Sequence, residues 1–474
     1  MLFVLLVIYQ IPNANASHAI GGEITYKCLG TNQYQLQFKF YRDCFGIPAP
    51  QTMDIEITNS CGFTVPLMIL TPTPTSPTQI SPVCAGLINT CNGGVYTGIE
   101  EWVYSGTIVL PGECSDWTFA HSESARNASI TTTSFSTGNL YIYSVINNTN
   151  GICDDSPTFE NKPIPFICVG QLFCFNNGAY DVQGDSMSYQ LIPPRTGPNL
   201  ADTVTYLSGY SSLYPLLSSP PLSLNNLTGE ICMVAQQADV TPIAILVSSY
   251  RNGVLIGQIE RDMQFIVLTC SNNLPGLSGF NGTSSDSITV CANQLNCVFF
   301  ISTDADAADS TMTLWDNSIP NATSSNSSGK RDTLTICWTP SNAEALQNPF
   351  TFTVKAIDNS CPYNATTINT YQMYVDTSPT CIPTAIQQTI QENQELKIYP
   401  QPATGTIYFS FDDKLNSQAG YSLLINDLQG RSVFQAPISQ QIFSIDVHNL
   451  KGIYFVIIHD KNGYFIKREK IIIN

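Results

Sequence analysis

Histidine is nearly absent from this 474-residue chain, which has four, at His18, His121, His448 and His459. No C-x-x-C pair occurs either. Zinc centres need clustered imidazole or thiolate ligands at close spacing, so a zinc protein is excluded. H-E-x-x-H, G-x-S-x-G and phosphate-loop patterns are likewise missing. His121-Ser122-Glu123-Ser124 sets triad residue types side by side, but a triad assembles through space and not through sequence neighbours. His121 therefore reads as an ordinary strand or surface residue. A glycosidase needs only two carboxylates at a set separation, and nothing in the sequence singles out such a pair. Basic residues are scarce: 19 Lys and Arg face 36 Asp and Glu, for a formal charge of −17. Such a chain repels phosphate backbones, which removes nucleic acid as a partner. No stretch reaches about 18 apolar residues, so no transmembrane helix is expected. Together these absences read as a protein that is not an enzyme.

Cysteine, by contrast, is plentiful: sixteen, distributed from Cys28 to Cys381 and none beyond. In the absence of metal spacing this usage implies disulfides and an oxidising compartment. The amino terminus agrees. Leu2 to Ile8 is an apolar run, and Ala14-Asn15-Ala16 is an A-x-A cleavage site, so residues 1–16 read as a secretory signal peptide. The Lys or Arg that usually precedes such a run is lacking, which leaves open a start upstream of Met1.

The body repeats itself. Cys168-Val169-Gly170-Gln171-Leu172-Phe173-Cys174 aligns with Cys291-Ala292-Asn293-Gln294-Leu295-Asn296-Cys297, each with two cysteines six positions apart. Asp181 to Tyr189 then parallels Asp304 to Thr313, and Glu230-Ile231-Cys232 parallels Thr335-Ile336-Cys337. The two copies close at Cys270 and Cys381. Two units of similar length, built of short strands with turn signals and no helical period, predict tandem Ig-like sandwiches at 160–270 and 271–381. Residues 17–159 form a separate Cys-rich β domain in this reading. Tyr34 to Asp43 alternates strictly, as a half-buried strand does. Seven cysteines fall in this domain, so at least one pairs outside it or stays free. Thr71-Pro72-Thr73-Pro74-Thr75-Ser76-Pro77 predicts an extended surface loop.

A charge step marks the last module. From Glu395 onward there are eight Lys/Arg and seven Asp/Glu, a balance of +1; the preceding residues hold 11 and 29, a balance of −18. The Gln-rich segment 382–394 reads as a linker. Beyond it, Ile407 to Phe411 and Ile442 to Val447 have strand character, and Gly430, Gly452 and Asn462-Gly463 mark turns, which predicts a small β-sandwich at 395–474.

Three sets of residues carry family resemblances. Tyr399-Pro400-Gln401-Pro402-Ala403, Asp427-Leu428-Gln429-Gly430, Leu450-Lys451-Gly452-Ile453-Tyr454 and Lys467-Arg468-Glu469-Lys470 resemble the type A C-terminal sorting domain of the type IX secretion system of Bacteroidetes. Gln401 departs from the Asn usual between the two prolines. The resemblance implies a cleavable address, with Pro400, Pro402, Asp427, Gly430, Gly452, Tyr454, Lys467 and Lys470 as the sorting motif and the secretion machinery as partner. Asp181-Val182-Gln183-Gly184-Asp185-Ser186-Met187-Ser188-Tyr189 resembles the strand entry of cadherin-like and polycystic-kidney-disease-type (PKD-like) sandwiches, as does Arg261-Asp262-Met263-Gln264-Phe265. Gly21-Gly22-Glu23-Ile24-Thr25-Tyr26 resembles the opening of large secreted or gliding-associated surface proteins, which tells family and not activity.

One cofactor is a candidate. Asp181 and Asp185, and separately Asp304, Asp306 and Asp309, space carboxylates closely in loops, as calcium requires, although neither loop completes an EF-hand. The reading is thus an all-β chain of tandem Ig-like/cadherin-like β-sandwiches with a small C-terminal β-sandwich sorting domain. It is secreted or held at the outer cell surface by way of the periplasm, in a structural or adhesive role with a polysaccharide or protein ligand. Two alternatives are carried. A carbohydrate-binding accessory protein would show Trp102, Trp117, Trp315 or Trp338 on an exposed face, and a secreted hydrolase would show polar groups converging in a deep pocket.

Overall fold

The computed structural model describes residues 19–134, 138–163, 166–378, 381, 397–410, 422–427, 431–438, 442–459 and 465–474. The signal-peptide expectation, the 382–394 linker and Gly430 lie outside these residues. Among the described residues the chain is all-β, with only short 3₁₀ turns between strands. It divides into two compact units, 1–382 and 383–474.

The first unit opens with a ring of strands. Gln33–Asp43 alternates Tyr34, Leu36, Phe38 and Phe40 inward and polar residues outward. It pairs on one edge with Ala19–Gly30 and on the other with Ile99–Val109. The path continues through Met68–Pro72, Met53–Thr58, Trp117–Glu123 and Leu140–Ile146. The strand Val254–Leu268 closes it, pairing with Leu140–Ile146 at Gly257–Ile259 and with Ala19–Gly30 at Arg261 and Asp262. The enclosed core includes Ile24, Leu36, Phe38, Ile55, Leu70, Tyr104, Trp117, Phe119 and Ile142. Closing the ring gives each of its strands a neighbour on both sides.

Closure requires a close approach at the seam. A Cβ on Gly21 would fall on the main-chain carbonyl of Asp262, which explains the Gly21-Gly22 pair at the start of the ring.

The closing strand belongs to the first repeat as well. Its other edge pairs from Val254 to Ile266 with Val240–Arg251, which pairs in turn with Ser186–Ile192. Further along, Ile266–Leu268 accept Phe166–Cys168 as a parallel neighbour. One twelve-stranded sheet thus runs through both sides of residues 159 and 160. A small sheet of Leu172–Asn176, Glu230–Val234 and Ser223–Leu224 packs across from it, and Phe173, Phe175, Ile231 and Met233 meet Ile243, Ile245, Val247, Met263 and Phe265.

The second repeat has the same plan. Ser287–Cys291 lies parallel to Thr366–Asp376, followed by Phe350–Asp358 and Thr311–Trp315. The facing sheet holds Asn296–Thr303, Thr333–Trp338 and Thr323–Asn326. Disulfides match copy for copy: Cys168–Cys270 and Cys174–Cys232 in the first, Cys291–Cys381 and Cys297–Cys337 in the second. The ring holds Cys28–Cys153, Cys44–Cys91 and Cys61–Cys114. Its seventh cysteine, Cys84, reaches across to Cys361 in the second repeat. Around that bond Cys84 N–H donates to the Pro362 carbonyl (3.0 Å) and Asn364 N–H to the Pro82 carbonyl (2.8 Å), while Tyr363 stacks on Phe166 at 4.8 Å. No cysteine is free. The Pro/Thr run is only partly a loop: Thr71 and Pro72 pair with Ser105 and Tyr104, because Met68–Pro72 is needed to complete the ring.

Residues 397–474 form two facing sheets. One holds Lys397–Tyr399, Thr406–Ser410 and Ile442–Asp446. The other holds Ser432–Pro437, Ser422–Asn426, Gly452–His459 and Phe465–Ile473. Ile407, Phe409, Leu423, Ile425, Ile445, Val456, Ile458, Ile471 and Ile473 fill the space between them.

Candidate functional site

In the carboxy-terminal unit the Gln401–Ala403 segment ties the two sheets to each other, while the other singled-out residues make local contacts. Ala403, after Pro402, is fully buried; its N–H donates to the Ile472 carbonyl (2.8 Å), and Asn474 N–H donates back to the Ala403 carbonyl (3.0 Å). Gln401 Oε1 accepts the Ile472 N–H at 3.1 Å. The residue that departs from the family pattern thus ties the Pro400–Pro402 segment to the last strand. Asp427 accepts the Arg431 N–H (3.0 Å) and pairs with Arg431 Nε at 2.7 Å. Gly452 has φ of +115°, a conformation side chains oppose, and starts the strand that carries Tyr454. Tyr454 Oη donates to the Lys451 carbonyl (3.2 Å). Lys467 and Lys470 lie on the final strand opposite Ile458 and Phe455. These are contacts of a folded module, with no convergent catalytic groups among them.

The two acidic loops differ. In the first repeat Arg251 enters the loop from the end of its strand. Its Nη2 reaches Asp154 Oδ1 (2.7 Å), Asp185 Oδ2 (2.6 Å) and Gln183 Oε1 (2.8 Å), and its Nε donates to Asp185 Oδ1 (2.9 Å). Asp181 Oδ1 accepts the N–H groups of Gln183 and Asp185, and its Oδ2 is buried without a partner. Burial pushes the Asp154 carboxyl up to about 7, outweighing the opposing Arg251 charge. Burial raises Asp181 too, with hydrogen bonds from Asp185 and Gln183 opposing. The cation that Asp181 and Asp185 would attract is a guanidinium of the chain itself.

In the second repeat no guanidinium enters among the carboxylates. Asp304 and Asp309 come together with Asp358, their oxygens within 4.8 Å of one another. Asp304 Oδ2 is buried and unpartnered. Asp306 turns away, accepting from Asn273 N–H (2.7 Å) and Nδ2. Arg331 binds the loop from behind, through the main-chain carbonyls of Asp304, Asp306 and Asp309. Asp358 accepts from Ala365 N–H (2.7 Å), Ser360 N–H (3.1 Å) and Asn272 Nδ2 (2.6 Å); burial raises its carboxyl against those bonds. Sequence reasoning missed Asp358 because it ends a distant strand, Phe350–Asp358. The register shows its place: Asp358 lies opposite Thr311 as Tyr250 lies opposite Ser186. Two other groupings, around Cys44–Cys91 and Cys61–Cys114, are disulfides and offer no thiolate.

Buried charge also lines the seam of the ring. Arg261 is buried and its Nε meets Glu23 Oε2 at 2.7 Å; both side chains are at most 1% exposed. Asn177 Oδ1 accepts from Arg261 Nη1 (2.8 Å), and the guanidinium lies 4.4 Å from the Phe159 ring centre. Its neighbour Asp262 points to the opposite face and takes a two-pronged bond from Arg126 (2.8 and 2.6 Å). Glu260, on the same face as Asp262, is fully buried, and burial holds its carboxyl well above the usual range.

His121 is buried in its strand, with Nδ1 2.6 Å from the Asp54 carbonyl and Nε2 3.5 Å from Glu123 Oε2; Ser122 points to the other face and is exposed, so it does not join them. Trp117 and Trp338 are core residues, Trp315 is 9% exposed, and Trp102 is half-buried beside Tyr104. They compose no exposed aromatic face. Among the described residues no helix is long and apolar enough to cross a membrane.

Comparison with known proteins places one module. Solved structures of β-sandwich arrays resemble the chain: tandem immunoglobulin domains of titin (6% identity, 47% of this chain and 98% of that one, TM-score 0.16), cadherin domains 3-6 of protocadherin gamma B2 (10%, 67% and 73%, 0.18) and the four-domain ICAM-5 ectodomain fragment (10%, 94% and 96%, 0.15). At those scores they carry no argument about this protein. No curated protein matches the chain. Residues 397–474 match the family described as the secretion system C-terminal sorting domain. The carboxy-terminal module of this chain is a sorting domain of the type IX secretion system.

Proposed function

We propose that the chain is delivered through the periplasm and across the outer membrane by the type IX machinery, that residues 395–474 are removed on the way, and that the body remains outside as a structural or adhesive protein. The observation that carries this reading is the independence of the sorting module. Its core and its motif hydrogen bonds are its own, and it contains none of the sixteen cysteines. No disulfide joins it to the body, so its removal breaks no cross-link. Eight disulfides and a closed ring suit the body to life outside the cell. Calcium belongs to the same reading, at Asp304, Asp309 and Asp358. The body acts by binding and carries out no reaction.

Cell fractionation tests this, with mass spectrometry of the carboxy terminus of the exported form. The expected product lies outside the cell and ends between residues 384 and 395. Deleting residues 396–474 leaves a folded body in the periplasm. A truncated chain that still reached the surface would refute the export route.

A further inference from the structure

A cleft of about 250 Å³ opens on the outer wall of the ring, lined by Thr25, Lys27, Gln35 and Gln37 on one side and by Asp155, Thr158, Tyr180 and Val182 on the other. The first four come from two paired strands, where Thr25 stands opposite Gln37 and Lys27 opposite Gln35. Strand alternation turns all four outward while Ile24, Tyr26, Leu36 and Phe38 fill the core.

The walls are held by many bonds. Cys28–Cys153 joins them covalently. Cys28 N–H donates to Asp155 Oδ1 (2.7 Å), Tyr26 N–H to Ser156 Oγ (2.9 Å) and Ser156 N–H to the Tyr26 carbonyl (2.9 Å). Asp155 N–H donates to Gln183 Oε1 (3.0 Å), which links the wall to the Arg251 cluster. The cleft is therefore preformed, and a ligand need not order it.

Most of the polar side chains facing the cleft are not used by the fold. Among the described residues, Thr25, Lys27, Gln37, Thr158 and Tyr180 make no side-chain hydrogen bond or ion pair, and Gln35 spends only its Nε2, on Ser105 Oγ. Convergent polar groups without protein partners in a preformed cleft, with one aromatic ring beside them, are the features of a binding site.

We propose that this cleft binds one or two units of a neutral, hydroxyl-rich glycan. Amide, hydroxyl and ammonium groups of Gln35, Gln37, Thr25 and Lys27 hydrogen-bond the sugar hydroxyls, and Tyr180 and Val182 supply the apolar contact. Charge selects the class. Lys27 and Asp155 balance within the cleft, while the acidic body repels polyanions. An extended peptide is disfavoured because Gln33–Asp43 is paired on both edges and the free edge at Tyr26–Cys28 is already taken by Asp155 and Ser156. The inference rests on the adhesive reading and names its ligand class.

Calorimetric titration of the purified full chain tests it, with cello-, xylo-, manno- and malto-hexaose as probes and polygalacturonate as an anionic comparison. At least one neutral probe binds at millimolar concentration or below. Gln37→Ala and Lys27→Ala each weaken it by about tenfold, the loss of roughly one hydrogen bond to a charged or well-placed group. Leu346→Ala, on an exposed turn of the second repeat, leaves affinity unchanged. Both cleft positions are at the surface, so an unaltered melting temperature certifies the fold. Silence from all four neutral probes, preference for polygalacturonate, or binding indifferent to Gln37→Ala and Lys27→Ala overturns the proposal. None of these outcomes depends on where the cell sends the protein, so a failed titration and a failed export experiment are separately visible.

Discussion

The two repeats share a disulfide scheme, a parallel first-to-last strand pairing and a facing small sheet, yet each has solved its neighbourhood differently. The first gives its longest strand, Val254–Leu268, to the ring and pairs there through Arg261 and Asp262. The second has no charged residue on its equivalent strand before Asp376 and is joined to the ring by Cys84–Cys361. The same contrast recurs in the acidic loops, where Arg251 supplies a built-in cation to the first and Asp358 adds a further carboxylate to the second. A duplicated sandwich thus keeps its frame and varies what its strand ends carry. Attachment and ion chemistry are decided by those few end residues.

The contrast in attachment can be broken most severely at the covalent link. Cys84 and Cys361 close a sequence separation of 277 residues. Replacing both with Ala costs about 5 kcal/mol in chemical denaturation by chain-entropy reasoning. It also opens the connection at residues 271–275 to limited proteolysis. Unchanged protease resistance would mean that the hydrogen bonds around Tyr363 suffice alone.

Within the copies, the matched bonds Cys174–Cys232 and Cys297–Cys337 close separations of 58 and 40 residues. Their removal should cost nearly the same, about 4 kcal/mol each, because loop entropy grows only logarithmically. A large inequality would show that the first copy draws stability from the ring. Arg261→Met tests that directly. It leaves the buried Glu23 carboxylate with only Lys39 Nζ (3.3 Å) and the Tyr41 hydroxyl (3.2 Å) and costs about 3 kcal/mol, a loss with no counterpart in the second copy.

Removing the built-in cation is milder. Arg251→Met leaves Asp154, Asp181 and Asp185 without it, but the Arg251 side chain is 31% exposed, so water screens part of the loss and about 2 kcal/mol is expected. The same cluster gives a pH signature. Asp154 is pushed up to about 7, whereas an unfolded aspartate titrates near ~3.9. The folded chain keeps the proton longer, so stability falls as pH rises from about 4 to about 7. Asp154→Asn should flatten that decline in a series of melting temperatures. An identical slope in both proteins would remove Asp154 from the account. Smallest of all is the calcium effect, about 1 kcal/mol at a few times the dissociation constant. It should vanish in Asp358→Asn and persist in Asp185→Asn, since Arg251 already fills the first loop. Persistence in Asp358→Asn would end the calcium reading of the second repeat.

Much of this architecture was legible in the residues. Alternation in Tyr34 to Asp43, the matched cysteine spacings and the motifs of the tail are local signals, and each led to the element it describes. The odd cysteine count in residues 17–159 left one cysteine either to pair outside that segment or to stay free; only the structure shows that Cys84 pairs, and with Cys361. Asp304 and Asp309 were visible as a spaced pair. Asp358 and Arg251 were not, because both reach their loops from strand ends roughly fifty or more residues away in sequence. The cleft was equally invisible, since Gln35 and Gln37 look like any outward-facing polar positions until a second wall stands beside them.

The sequence by itself determined the strand content, the export character, the sorting module and the repeat, since periodicity, composition and motif order are properties of neighbouring residues. Only the tertiary structure decided that one strand serves both ring and sandwich, which carboxylates share a cation and which polar side chains are left over for a ligand. Those outcomes depend on which distant strands pair and in what register, and a one-residue shift there exchanges the faces of every side chain.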